Sequence, residues 1–363
     1  MKIYLVTRSL SGVVGGVERQ LGNIALRLSQ SNHDVSILSS DPENPEVFYP
    51  LLSQFSLLTY GQRLVRKSST NTQRAKRQIS IYRLIQHNKP DLIIAFMLSG
   101  YIAALPTAIL TRTPIVLAER NSPDVYDLTR AKKYKYIYFL LMQFSAGITV
   151  QLDAYKNRYP KFLRSRIKVI YNEIIVSSNE SDRGSSQRPF TFGFVGRFSF
   201  QKQPVRLIES FARHIAGGNN SHLVFIGKGE LELEMRNRIS ILDLDDHVTI
   251  LSPIKEITDI YSSMDALCIP SLWEGFPNVV GEAMMYGLPV LGNRDCLGLS
   301  DLVTNESGIL IDFEDKGVDG FMALRSMTKS NKYSSDVIRK HIGKFQKFDF
   351  VELWNQVAID AIK

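Results

Sequence analysis

SSNESDRGSSQRPFTFGFVGR, residues 177–197, decides how the rest of the chain is read. Residues 177–189 are polar, contain Ser, Gly and Pro and follow no period, which is linker composition. The apolar run FTFGFVGR then reads as a buried strand ending in Gly-Arg, and it restarts a pattern already present upstream. There KIYLVT, GVERQLGNIALRLSQ, DVSILS, a polar stretch to about residue 80, IYRLIQ, DLIIAF, IAALPTAIL, PIVLAE, GITV and KVIYN follow one another. Downstream come PVRLIESFARHIA, HLVFIG, ELELEMRNRISIL, HVTIL, ITDIYSSM, ALCIP, NVVGEAMMYG, PVLG and GILID. Strands alternating with helical segments at this spacing predict βαβ units on parallel sheets. The 363 residues also exceed what one core usually organises. The expected fold is therefore α/β with two Rossmann-like parallel-sheet domains, residues 1–180 and 190–346. Ligands bind such sheets at the carboxyl ends of the strands, so two facing domains are expected to form a cleft. The closing segment FDFVELWNQVAIDAIK, within 347–363, reads as an amphipathic helix long enough to cross back over the first domain.

Hydrophobic content of 44% and charged content of 22% are those of an ordinary soluble protein. Cys268 and Cys296 are too few for a disulfide framework or a four-ligand metal site, and read as reduced core residues in a reducing compartment. The first residues lack an apolar segment with a cleavage site, and the longest apolar runs fall short of the roughly 18 residues of a span. Neither export nor a membrane span is expected. Residues 1–188 carry 26 Lys+Arg against 13 Asp+Glu, net +13, whereas residues 189–363 are net −5. Two stretches hold the excess: RLVRKSSTNTQRAKR (63–77) and RAKKYKYIYFLLMQF (130–144). Lys132, Lys133 and Lys135 beside Tyr134, Tyr136, Tyr138 and Phe139 fit an anionic membrane surface, and equally a solvated basic face. No nucleic-acid-binding motif is present.

Four stretches can carry chemistry. In LWEGFPNVVGEAMMYGLPV (272–290), Pro277 disfavours helix at Phe276, which leaves Glu274 in a loop and starts a helix near Asn278; Gly287 and Pro289 end it. Glu282 then shares a face with Val279, Ala283 and Tyr286, an expensive position for a carboxylate unless donors surround it. A ligand diol supplies two such donors; so does a neighbouring arginine. Glu274 beside the amides of Gly275 and Phe276 offers acceptor and donors together, as sugar hydroxyls require. In GFVGRFSFQKQ (193–203), Gly196 turns the chain and Arg197 and Lys202 can reach one point above the strand end. A guanidinium fork and a mobile ammonium suit a diphosphate whose charge grows as it leaves, although two solvated cations before a helix are common. SGVVGGVERQ (11–20) places Gly15 and Gly16 where a helix N-terminus can approach an anion. It fails the dinucleotide pattern G-x-G-x-x-G, as does IGKGELE (226–232). AERNSPD (118–124) puts Glu119, Arg120 and Asn121 at a strand's carboxyl end, facing the expected cleft. DLDD (243–246) superficially matches an acidic metal motif but links a helix to a strand, so no metal is expected there.

Taken together, Gly-Gly before the first helix, ERN after a first-domain strand, GR followed by Lys202 and the E-x₇-E of EGFPNVVGE resemble the retaining glycosyltransferases of the GT-B fold in glycosyltransferase family 4. The resemblance covers essentially the whole chain. It implies that Arg197 and Lys202 bind the nucleotide diphosphate after the turn at Gly196. Glu282 would hold the ribose hydroxyls; Glu274, with the amides of Gly275, Phe276 and Asn278, would hold the donor sugar. Gly16 would approach the diphosphate from the first domain, with Glu119, Arg120 and Asn121 facing the acceptor. It further implies metal-independent, configuration-retaining transfer from a nucleotide sugar, UDP-linked, to a lipid-linked or oligosaccharide acceptor. No cofactor is expected, and the chain would work in the cytoplasm at the inner face of the membrane. Two departures stand out: Arg120 occupies a place where many relatives have histidine, and NRDCLGLSDLV (293–303) lacks the proline of a common Gly-Gly-x-Pro-Glu loop. The competing readings are a nucleotide-sugar 2-epimerase on the same fold and a non-catalytic nucleotide-binding protein.

Overall fold

The computed structural model describes every residue except 12–14, 62–69, 175–187, 254–257, 315–316, 331–332 and 347–348. Most of the expected linker, 177–189, and the start of the basic stretch 63–77 lie outside the described residues. The chain divides into two compact units, Met1–Glu173 with Phe348–Lys363, and Ile174–Lys347.

In the first unit seven strands form one sheet: β1 (Lys2–Val6), β2 (Asp34–Ser39), β3 (Ser56–Thr59), β4 (Leu92–Phe96), β5 (Ile115–Ala118), β6 (Gly147–Val150) and β7 (Ile167–Val169), in the order β3-β2-β1-β4-β5-β6-β7. Every pairing is parallel. Leu92, Ile93, Ile94, Ala95 and Phe96 are all buried, as a continuous apolar strand must be when helices cover both faces of a sheet. The second unit repeats the plan with β8 (Phe190–Val195), β9 (Ser221–Ile226), β10 (Val248–Leu251), β11 (Ala266–Ile269), β12 (Val290–Asn293) and β13 (Gly308–Ile311), ordered β10-β9-β8-β11-β12-β13 and again parallel throughout.

The closing helix, Phe350–Ile362, belongs to the first unit. Asp349 caps it by accepting from the Glu352 amide at 2.9 Å, and Phe350, Trp354, Val357 and Ala358 form one stripe inside the first core. One expectation fails upstream: the polar stretch read as continuing to about residue 80 is helical from Asn71 to Asn88. Thr70 and Gln73 close a capping box there, Gln73 N donating to Thr70 Oγ1 at 3.3 Å and Thr70 N to Gln73 Oε1 at 3.0 Å, which stabilises a start that shows no apolar period. Strand β3, short and only half-buried, also escaped the hydrophobic pattern.

Candidate active site

In the second sheet β8 and β11 are neighbours from which the strand order runs in opposite directions, so their carboxyl ends mark the switch point where a doubly wound sheet binds its ligand. The chain leaving β8 carries Gly196, Arg197 and Lys202; the chain leaving β11 carries Glu274, Gly275 and Phe276. Three contacts tie the two segments. Leu272 N donates to Gln201 O at 2.9 Å, Gln201 Nε2 donates to Trp273 O at 2.7 Å, and Lys202 Nζ donates to Glu274 Oε1 at 2.6 Å. Glu274 is buried and Lys202 half-buried, so this ion pair sits in a partly desolvated place where its Coulomb energy exceeds that of a surface pair. Arg197 is exposed, and no side-chain hydrogen bond or ion pair engages it among the described residues.

Two glycines outside the recognised motifs support the Arg197 loop. A Cβ on Gly227 would lie 1.9 Å from Gly196 O, and one on Gly229 would lie 2.2 Å from Phe198 O. The stretch IGKGELE that fails as a dinucleotide motif thus has another use: its glycines let the loop after β9 lie against the loop after β8. Gly196 N donating to Ile226 O at 3.0 Å and Phe198 N to Lys228 O at 3.0 Å fasten the two.

The helix after Pro277 runs from Asn278 to Met285. Its end is a Schellman closure: Gly287, at φ +70°, donates to Met284 O at 2.8 Å and Leu288 N to Ala283 O at 2.9 Å. Asn278 is half-buried, whereas Gly275, Phe276 and Glu282 are buried. The carboxylate of Glu282 accepts from the Tyr261 hydroxyl at 3.0 Å. The sequence offered no sign of Tyr261, which lies on a separate short helix, Thr258–Ser263. Glu274 thus has a cation among its partners, and Glu282 a neutral phenol.

In the first unit Gly16 begins the helix Gly16–Gln30. Its approach is held by Tyr49, whose hydroxyl donates to Gly15 O at 3.1 Å, and by buried Asp41, which accepts from Ser9 Oγ and from the amides of Leu10 at 2.6 Å and Ser11 at 3.3 Å. Glu119 and Arg120 were expected to present their charges at the end of β5; both are instead enclosed, with Asn121 half-buried. Glu119 accepts from its neighbours' amides, Arg120 N at 3.1 Å and Asn121 N at 3.3 Å, and from Tyr126 Oη at 2.7 Å. Burial raises its pKa despite these donors and the nearby guanidinium. Arg120 donates to Thr149 Oγ1 at 2.7 Å and Asn172 Oδ1 at 3.3 Å and lies 5.3 Å from the Trp354 ring centre, its pKa pushed down to about 10 by burial. Trp354 of the closing helix thus lies against the Arg120 guanidinium, and Tyr126 against the Glu119 carboxylate. Cys268 and Cys296 are both buried and free, and DLDD belongs to no cluster of three acidic, His or Cys side chains among the described residues.

Two doubly wound parallel sheets, one in each unit, are the architecture of the GT-B fold, and comparison with known proteins gives the family. Residues 14–177 match the family model Glycosyltransferase Family 4, and residues 177–334 match the model Glycosyl transferases group 1. The chain belongs to the glycosyltransferases that these models describe. It is 25% identical, over 87% of its length and 86% of the other, to an α-1,4-N-acetyl-D-galactosaminyltransferase of Campylobacter jejuni, whose name specifies a diphosphoundecaprenol-linked acceptor. It is 28% identical, over 79% of its length and 80% of the other, to the UDP-Gal:α-D-GlcNAc-diphosphoundecaprenol α-1,3-galactosyltransferase of Escherichia coli. The structure of HepE from Anabaena in complex with UDP-glucose superposes with a TM-score of 0.78 at 19% identity, covering 99% of this chain and 98% of that one, a likeness of fold.

Proposed function

We propose that the protein transfers a hexose or N-acetylhexosamine from a UDP-sugar to a lipid-linked glycan, retaining the anomeric configuration and using no metal, in the synthesis of a surface polysaccharide or glycoconjugate. The observation that carries the reading is the Lys202–Glu274 pair at the carboxyl ends of β8 and β11, with Arg197 exposed on the same segment as Lys202. When a diphosphate arrives, its charge competes with Glu274 for Lys202, and Arg197 supplies a second cation, so that two protein charges take up the negative charge growing on the leaving group. Glu274, released from part of its ion pair, accepts from sugar hydroxyls while the amides of Gly275, Phe276 and Asn278 stand beside it. Glu282 accepts from the ribose hydroxyls. Attack from the face that the diphosphate leaves, with a departing phosphate oxygen taking the acceptor's proton, retains the configuration. The two named relatives support a diphosphate-lipid acceptor, and neither supports the epimerase alternative.

Membrane contact is part of the same proposal. Tyr136, at 78% exposure, Ile137, Leu140 and Phe144 project from the segment around the helix Lys135–Met142, with Lys132 and Lys133 exposed just before it. Lys135 is engaged elsewhere, donating to both Asp127 oxygens at 2.7 and 2.8 Å, so it adds less to such a surface than the sequence implied. Among the described residues no helix is long and apolar enough to cross a membrane. Assays with UDP-, GDP- and ADP-sugars on a diphosphate-lipid glycan decide the reading: turnover with the UDP-sugar is expected, and Glu274→Ala or Arg197→Ala should lower kcat/KM about 100-fold or more. Full turnover in both variants sinks the residue assignments. Sedimentation with anionic vesicles tests the surface, where Lys132→Ala/Lys133→Ala is expected to weaken binding about tenfold or more.

A further inference from the structure

The two glutamates of E-x₇-E are held in different ways, and the difference points to a residue that no motif contains. Glu274 is paired with a cation. Glu282, equally buried, accepts at Oε2 from the hydroxyl of Tyr261, which is itself wholly buried on the helix Thr258–Ser263. The Tyr261 ring stacks on Tyr286, with centroids 5.4 Å apart and planes at 27°. Tyr286, four residues after Glu282, is the C-cap of the helix that carries the carboxylate, so the end of that helix places the ring against which its partner is stacked. A cation at this place would orient the carboxylate and also cancel its charge. A phenol orients a carboxylate by its hydrogen bond without itself adding a positive charge, and charge-assisted hydrogen bonds from hydroxyl groups depend on the carboxylate's charge.

We propose that Tyr261 is a positioning residue for nucleotide recognition: stacked on Tyr286, it fixes the Glu282 carboxylate in the orientation that accepts the ribose 2′- and 3′-hydroxyls. This rests on the reading that Glu282 binds the ribose. Tyr261 touches no ligand in this account. Its effect reaches the ligand through one carboxylate, so it is felt by nucleotides that have ribose hydroxyls and not by those that lack them.

Calorimetry with UDP and 2′,3′-dideoxyuridine diphosphate on the wild type, Tyr261→Phe, Glu282→Gln and the double variant tests this. The wild type is expected to prefer UDP. Tyr261→Phe, which keeps the stacked ring, should weaken UDP about tenfold while dideoxy-UDP changes by no more than about twofold. Glu282→Gln should remove the preference, and adding Tyr261→Phe to it should change nothing further. Equal weakening of both nucleotides in Tyr261→Phe would mark the residue as general packing and overturn the proposal, as would an unchanged preference. A wild type without the preference, or a Glu282→Gln variant that keeps it, refutes the ribose reading itself, and that outcome is read without any Tyr261 variant. The preference is a ratio taken on one preparation, so a partly unfolded fraction leaves it unaltered. Tyr286→Leu, which removes the stacking ring and keeps the Tyr261 hydroxyl, gives a second reading: the preference should shrink about threefold, and an unaltered preference counts against the proposal.

Discussion

Both sheets end in charged side chains at their carboxyl edges, and the two units use them in opposite ways. After β5, Glu119 and Arg120 are enclosed by Tyr126, Thr149, Asn172 and the Trp354 ring of the closing helix. After β8 and β11, Lys202 and Glu274 share one partly accessible ion pair, and Arg197 stands exposed with nothing on its guanidinium among the described residues. The Arg120 guanidinium is enclosed together with its hydrogen-bond acceptors, so exchanging them for a ligand means opening the core. A charge with one exchangeable partner can trade it for an anion. Position at a strand's carboxyl end is thus a necessary condition for a site in such a sheet, and the surrounding partners decide whether it becomes one.

The sharpest break of this comparison is to remove one cation from each unit. Lys202→Ala should lower kcat/KM for the donor by about 10² to 10³ and cost about 1–2 kcal/mol of stability, because the buried Glu274 carboxylate loses a partner that is itself partly accessible. Arg120→Ala should weigh the other way: a stability loss of about 3–5 kcal/mol, because Thr149 and Asn172 lose their buried donor and a cavity opens beside the Trp354 ring, with the turnover of the folded fraction falling by much less. Equal effects of the two substitutions on turnover would erase the distinction. Urea denaturation and steady-state kinetics on the same preparations give both readings.

A smaller effect separates the units by pH. Glu119 has its pKa raised in the fold, so its contribution to stability is complete below the ordinary carboxylate value of 4.5 and is lost as pH rises through the raised value. His214, buried among Phe192, Phe211 and Phe321 in the second unit and bonded to Ser221 Oγ at 3.1 Å, has its pKa pushed down to about 4 by burial. Its contribution is complete above 6.5 and is lost as pH falls towards 4. Glu119→Gln should therefore gain on the wild type as pH rises from 4.5. His214→Gln should gain on it as pH falls from 6.5, each by at most about 1.4 kcal/mol per pH unit. Urea midpoints across pH 4 to 8 check both slopes, and parallel profiles for the wild type and either variant refute the corresponding assignment.

Much of this was legible in the chain. The alternation of apolar runs and helical segments marked both parallel sheets, since a strand covered on both faces must be apolar throughout. Pro277 and Gly287 delimited the helix that bears Glu282, because each restricts or permits a particular backbone conformation. The helix Asn71–Asn88 and the strand Ser56–Thr59 were less legible: one is polar along most of its length and starts on a side-chain capping box, the other is short and half-buried. Tyr261 and the pair Gly227 and Gly229 could not be found from spacing at all, since their roles depend on groups tens of residues away.

What the sequence determined by itself were the elements and the chemical types near each strand end, because periodicity, proline and glycine act within a few residues. What only the tertiary structure decided was which of those charges are enclosed with their partners and which stay partly accessible. Arg120 and Lys202 follow similar strands, yet Trp354, distant in sequence, covers the first, and Glu274, brought alongside by the order of β8 and β11, meets the second. Desolvation and partner exchange are properties of the packed surroundings, and those surroundings come from parts of the chain that no local pattern connects.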